Sequence, residues 1–157
     1  MAKPWSIPGL DPSAPVSRCA AKILDIRIAE MYSYEPAALE TENVDPVHDM
    51  RVSGRRLQSL YAIFRPLLPK KAYKRNMSEL KMLLKDLGKV RDSDVLLESL
   101  HQKIRALPPE EHRSLMLLAA QEEAHRLKAR TLLRRKLLAL RRGRFEARLK
   151  SLSPHHR

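Results

Sequence analysis

The chain has 157 residues, enough for one domain with a real core, and its 31 Lys and Arg outnumber 18 Asp and Glu for a net charge of +13. Such an excess points to a polyanion or an acidic membrane surface as partner and carries no information about fold. A lone cysteine excludes an internal disulfide framework and a cysteine-based zinc site. One Trp, two Phe and four Tyr are too few for the stacking platforms of single-stranded nucleic-acid binders.

Few glycines and abundant Leu, Ala, Lys, Arg and Glu predict an all-α protein, an antiparallel bundle of about five helices. Residues 1–13 carry Pro4, Pro8 and Pro12 and no periodicity. They read as a tail or as a strap across the bundle, with Trp5 available as an anchor. The prolines leave no signal-peptide pattern, and the longest apolar run, Leu115 to Ala120, is too short to span a bilayer. A soluble, cytoplasmic protein without a membrane partner is the expectation.

The domain proper is expected over 14–152, with 153–157 as a short tail. Its first helix is predicted from Ala14 to Tyr34, with Val16, Cys19, Ala20, Ile23, Leu24, Ile26 and Met31 as an apolar stripe. Cys19 reads there as a small buried apolar residue. Arg27 falls inside the stripe, either at a packing edge or reaching toward an anion site. Glu35 to Asp45 reads as an acidic connection that ends in a cap, Asp45, followed by Pro46 in the first turn of the second helix.

That second helix separates into two faces. His48, Arg51, Arg55 and Ser59 follow at spacings of three and four and share one side, with Arg56 displaced toward a flank. Met50, Leu57, Leu60, Tyr61 and Phe64 gather opposite, and Ser53 and Gly54 lie toward the packed side, where small residues allow close helix approach. A histidine and two guanidiniums at a helix start make a poor core and a good anion seat.

A third helix is predicted over 70–87, burying Tyr73, Met77, Leu80, Leu83, Leu84 and Leu87. Lys74, Lys81 and Lys85 line an adjoining flank with no Glu four residues ahead of any of them. Gly88 reads as its stop, Lys89 and Arg91 as added positive charge, and Asp92 or Ser93 as the cap of a fourth helix over 94–106. That fourth helix is expected to bury Val95, Leu96, Leu100 and Ile104. Of Asp92 and Asp94, one is expected to cap and the other to orient an arginine. Pro108-Pro109-Glu110-Glu111 opens a long fifth helix, predicted to run to Leu140 and to break near Gly143 before a final turn through Leu152. Met116, Ala120, Ala124, Leu127 and Leu138 are its predicted packing face. Arg126 to Arg157 holds twelve Lys or Arg and a single acid, Glu146, a basic outer side on a docked helix.

No catalytic pattern accompanies these cations. A Gly-rich phosphate loop and a His-Glu-x-x-His zinc pattern are both missing, and Glu122-x-x-His125 is only half of a ferritin-type ligand set. His155-His156 offers no more than adventitious metal contact. A binding module without catalytic residue, metal or cofactor is the expectation.

Two segments carry a family resemblance. Val47-His48-Asp49-Met50-Arg51-Val52 with Arg55-Arg56-Leu57 resembles the opening signature of CHAD domains, the conserved-histidine α-helical domains. Leu87-Gly88-Lys89-Val90-Arg91-Asp92-Ser93-Asp94-Val95 resembles that family's Leu-Gly-x-x-Arg-Asp-x-Asp-Val segment. The resemblance covers residues 14–152 and implies an all-helical bundle that binds inorganic polyphosphate. The charge and spacing of the two basic helix faces make His48, Arg51, Arg55, Arg56, Lys74, Lys81, Lys85, Lys89 and Arg91 the expected binding residues, with Asp92 and Asp94 in support. Only a first-half pattern is present, so the chain looks like one half of the usual two-bundle architecture; two copies pairing as a homodimer, or a weakly binding monomer, are both consistent with that. The Glu-x-Glu-x-Lys signature of an associated triphosphate-processing domain is absent, because Glu40-x-Glu42 continues with Asn43 and Val44. Placement at polyphosphate granules follows from the same resemblance. Two other readings stay open: a nucleic-acid-binding helical protein resting on net charge, and a metal-dependent phosphatase or phosphotransferase resting on Asp92 and Asp94.

Overall fold

The computed structural model describes residues 3–40 and 43–154, so Glu42 and His155-His156 lie outside the described residues. The described chain is all-α. Its helices are α1 (Val16–Ser33), α2 (Glu35–Glu40), α3 (Asp45–Ile63), α4 (Lys70–Ala106), α5 (His112–Arg142) and α6 (Phe145–Lys150), with 3-10 turns at Arg65–Leu67 and Pro109–Glu111.

The bundle is built from α1, α3, α4 and α5, each giving one apolar stripe to a shared core. Leu24, Ile28 and Met31 meet Met50, Leu57 and Tyr61, Leu80, Leu83 and Leu87, and Leu133 and Leu137. Three helices converge at Gly54. A Cβ there would stand 2.6 Å from Leu84 Cδ2 and 3.1 Å from Met31 Sδ, so any larger residue would have to displace the Leu84 side chain where α1, α3 and α4 meet. Phe145, Leu149 and Leu152 close one end. The Tyr61 hydroxyl donates to the Leu149 carbonyl at 2.9 Å, which ties α6 to α3.

Gly88 does not end a helix. α4 runs unbroken for 37 residues, and residues 70–87 and 94–106 are parts of one element. The reason lies in the buried pattern. Leu83, Leu87, Val90, Asp94 and Leu97 follow at spacings of four and three straight through the glycine, so core contacts on both sides hold its backbone helical. That burial outweighs the roughly 1 kcal/mol by which glycine disfavours a helix relative to alanine. Gly88 also lacks the left-handed conformation of a stop; the positive φ values among the described residues belong to Gly9 and Arg144. With no helix start at Asp92 or Ser93, neither caps. Gly88→Ala is expected to raise stability by about 1 kcal/mol, or about 2–4 °C in Tm. The new Cβ would sit 3.5 Å from Arg51 Nε, an ordinary contact. A lower Tm by calorimetry would restore the helix-stop reading.

Other expectations shift for local reasons. The 35–45 connection contains α2. Asp45 is the first residue of α3 rather than its cap; the N-cap position is Val44. The Asp45 N–H is accepted by Asn43 Oδ1 at 3.0 Å. The break after α5 places Arg144, not Gly143, in the left-handed region, at φ 53°. The N-terminal segment is a strap held by its backbone: Lys22 Nζ donates to the Gly9 carbonyl at 2.9 Å, and Cys19 Sγ approaches the Asp11 carbonyl at 3.5 Å. Trp5 does not anchor it and stays exposed, and Cys19 is half-buried beside the strap rather than in the core.

Beyond the main core, α4 and α5 continue as an antiparallel hairpin held by a small cluster of Leu97, Leu100 and Ala119, flanked by Ile104 and Leu115. Val95 and Leu96 are exposed there rather than buried. The predicted packing face of α5 is also not the one used. Ala119, Leu133, Leu137 and Leu140 turn inward, while Met116 and Leu127 are 58% and 62% exposed, Ala120 and Ala124 are exposed, and Leu138 is half-buried. The helix carries two apolar stripes, and the fold consumes one.

Arg148 locks α6 onto α4. Its guanidinium makes two parallel bonds to the Glu79 carboxylate, at 2.7 and 2.6 Å, and a third to Asn76 Oδ1 at 3.2 Å. The Arg148 bonds hold the Glu79 carboxyl below its ordinary value, against the opposing pull of burial. A lowered folded-state value gives stability that is present above the unfolded carboxylate value of about 4.3 and is lost as pH falls through the folded one. The Tm gap between wild type and Glu79→Gln is therefore expected at neutral pH and should close on acidification below about pH 4. A gap independent of pH would mean that the amide disturbs packing rather than charge.

Candidate functional site

α3 and α4 pack side by side in antiparallel register. Gly54 meets Leu84, and Arg51 lies against Gly88, where a Cβ would stand 3.5 Å from Arg51 Nε. The bare backbone at Gly88 thus forms the floor on which the Arg51 guanidinium stem rests, and it joins the two sequence signatures in space. Lys81, Lys85 and Gly88 follow at spacings of four and three, so the lysines share the side of α4 on which Arg51 lies, level with Arg55 and Gln58. Lys74, seven residues before Lys81, prolongs that row. From Lys74 to Lys85 it spans about 16 Å at ~1.5 Å per residue.

The row is not neutralised from within. Lys74, Lys81, Lys85 and Arg55 are exposed, Arg51 is half-buried, and no carboxylate among the described residues pairs with any of the five. Such cations raise the local potential instead of cancelling it.

His48 stands one turn before Arg51. Its Nδ1 is buried with no hydrogen-bond partner. An orphaned N–H inside a protein is costlier than an orphaned acceptor, so the neutral ring carries its proton on Nε2. Nε2 has no hydrogen-bond partner among the described residues, so in that tautomer its N–H is left to a ligand or solvent. The helix start itself offers little: Pro46 has no N–H, and those of Asp45 and His48 are taken by Asn43 Oδ1 and the Val44 carbonyl.

Three predicted residues fall elsewhere. Arg56 turns to α1, where Glu30, fully buried, accepts from it at 3.2 Å and also pairs with Arg27. Arg27 therefore serves this ion pair rather than the anion row. Lys89 lies 3.5 Å from Asp86 on its own helix. Arg91, six residues beyond Lys85, looks away from the row into a cleft with Asp45, Asp94 and Glu98. Asp94, also buried, accepts from Arg126 Nε at 2.6 Å. Burial disfavours the Arg126 charge, but Asp94 and Glu123 more than offset it and hold its pKa above the usual value. Asp92 is exposed on the row, four residues past Gly88 and level with His48. Gln58 and Ser78 sit among the row's cations as neutral hydrogen-bonding groups, and a search by charge passes over them.

The basic stretch of α5 and α6 is partly self-neutralised. Arg126, Arg141, Arg148 and Lys150 pair with Asp94, Glu35, Glu79 and Glu146. Among the described residues, no group of three or more His, Cys, Asp or Glu is placed to hold a metal ion, and Glu122 is engaged by the Ser93 hydroxyl. No helix of the described residues is long and apolar enough to cross a membrane.

Comparison with known proteins bears on the family and the fold. Residues 22–157 match the sequence model of the CHAD domain. The structure is similar to the crystal structure of the CHAD domain from the plant Ricinus communis, with a TM-score of 0.75 and 26% identity. That match covers 96% of this chain and 49% of the plant chain, so this chain spans about half the length of its structural relative. No curated protein matches it. With the match extending over most of the sequence and both signatures meeting at Arg51 and Gly88, the chain belongs to the CHAD domain family.

Proposed function

We propose that this chain binds inorganic polyphosphate, without catalysis, along the basic surface shared by α3 and α4. The observation that carries the reading is the row of Arg51 and Arg55 on α3 beside Lys81 and Lys85 on α4, none of them paired with a carboxylate among the described residues. A polyphosphate chain presents a negative charge on every unit along a flexible thread. Its counterpart is a set of fixed cations on rigid helices, spaced so that several units are held at once. The guanidiniums supply forked donors, the lysines compact charges, and His48 Nε2 one oriented N–H. Family membership supports the ligand class. Retention of the chain rather than its cleavage is the activity that a row of fixed cations matches.

The test is competition. Labelled long-chain polyphosphate bound to the protein is challenged with duplex DNA and with pyrophosphate at two salt concentrations. Long-chain polyphosphate is expected to be displaced by unlabelled long chains at least about tenfold more effectively than by equal phosphate concentrations of either competitor. Binding to a general charge excess would instead show DNA competing equally and affinity collapsing with salt alike for both polymers.

A further inference from the structure

Not every free cation of the chain belongs to the α3–α4 row. Lys128, Arg135 and Arg142 recur at spacings of seven on one side of α5, about 21 Å from end to end at ~1.5 Å per residue. All three are exposed, with Arg134 exposed on their flank, and no carboxylate among the described residues pairs with any of the four. The helix itself supplies none, because past Glu123 it has no Asp or Glu up to its end at Arg142. This second row faces away from the first. On α4, Asp94 stands nine residues beyond Lys85, about two and a half turns, and so on the opposite side of the helix. That opposite side is where α5 packs, with Asp94 accepting from Arg126 at 2.6 Å and the Ser93 hydroxyl donating to Glu122 at 2.5 Å. On α5, Arg135 is in turn nine residues beyond Arg126 and looks away from α4. Two packed helices therefore separate Lys85 from Arg135, a thickness of about 20 Å.

We propose that the exposed side of α5 is a second polyphosphate contact and that the protein thereby cross-links polyphosphate. One segment of polymer lies on the α3–α4 row, and a separate segment lies along Lys128, Arg135 and Arg142. This rests on the polyphosphate reading of the first row. A short polymer on one row does not reach round two helices to the other, so the two contacts act on different segments. Two observations select the occupant. The row is a line of cations with no acid of its own helix beside it, which calls for a polyanion. Polyphosphate held on the first row then brings its unbound length to the α5 rows of neighbouring molecules at high effective concentration, an advantage that no other polyanion shares. The α5 contact is the weaker of the two. Its cations are fully exposed on a single helix and act as screened charges, without the half-buried Arg51 or the His48 N–H. One strong face and one weak face, pointing apart, gather long polymers into a network instead of coating them one by one.

Light scattering from the full chain mixed with long-chain polyphosphate tests this, beside the affinity for an oligophosphate too short to join two molecules. Wild type is expected to scatter strongly at intermediate ratios of protein to polymer and to clear in excess polymer, where each molecule holds a segment of its own. Lys128→Gln/Arg135→Gln/Arg142→Gln is expected to stay helical and to keep oligophosphate affinity within about twofold, yet to need at least about fivefold more protein before scattering begins. Lys3→Gln/Arg18→Gln/Arg105→Gln removes the same charge at exposed positions off both rows and is expected to scatter as wild type does. If the α5 variant loses helicity, the test passes to Arg135→Glu alone, with the same expectation. A wild type that binds oligophosphate but never scatters overturns the cross-link and leaves the first row standing; absence of oligophosphate binding removes both. An α5 variant that scatters like wild type, or a charge-matched variant that fails as the α5 variant does, also overturns it. An α5 variant that keeps the network but no longer binds duplex DNA gives the second row to nucleic acid and overturns it likewise.

Discussion

His48→Ala/Arg51→Ala/Arg55→Ala is expected to weaken polyphosphate binding at least about 100-fold while leaving the protein helical and its Tm within a few degrees of wild type. The magnitude follows from the kind of bond lost. A hydrogen bond to a charged group contributes about 1.5–3 kcal/mol, and removing two guanidiniums and one oriented N–H takes out several, with less than full additivity because they act on one ligand. Lys81→Ala/Lys85→Ala should cost less, about tenfold, because exposed ammonium groups act as screened point charges. Stability should hold because no carboxylate is stranded by the triple change: Arg51 and Arg55 pair with none among the described residues. Alanine is also the better helix former at all three positions. Isothermal titration beside thermal melts separates the two quantities. Full affinity in the folded triple variant would move the site off α3 and leave the α5 surface as the polyanion contact.

The elements that the sequence made legible are those whose periodicity coincides with burial. The α3 face of Met50, Leu57 and Tyr61 is fully buried as expected, and Gly54 stands at the closest helix approach. The readings that failed were local signals overruled by tertiary contact. Gly88 before a run of Asp and Ser has the composition of a helix end, but Leu83, Leu87, Val90 and Leu97 bury through it and keep the backbone helical. On α5 the periodicity was real yet ambiguous. Two stripes of similar apolar content sit on one helix, and a wheel does not say which faces inward. The charge pattern had a similar limit. Arg51, Arg55 and Arg56 are near neighbours in sequence and equivalent by residue type, and what separates Arg56 from the row is Glu30, 26 residues earlier on another helix.

That separation makes Glu30 the site of the largest expected stability effect. Its carboxylate is fully buried between α1 and α3, with Arg27 pairing through one oxygen and Arg56 through the other. The Arg27 side chain is 11% exposed and the Arg56 side chain 29%. Glu30→Ala leaves both guanidiniums without their shared acid, and Arg27 has little access to water. Breaking a buried pair from one side costs about 3–5 kcal/mol, and the partial access of Arg56 to solvent puts the expectation near the lower end, about 3 kcal/mol. For a domain of this size that is roughly 6–12 °C in Tm. Arg56→Ala should cost less, about 1–2 kcal/mol, because Arg27 still neutralises the acid. It should change polyphosphate affinity by no more than about threefold. Arg51→Ala should do the reverse, with little loss of Tm and a large loss of affinity. The two arginines, five residues apart on α3, are thus expected to separate cleanly into one that holds the helices and one that holds the ligand. If Arg56→Ala instead lost affinity as Arg51→Ala does, with Tm unchanged, the Glu30 pair would be a resting contact that the ligand displaces, and Arg56 would return to the row.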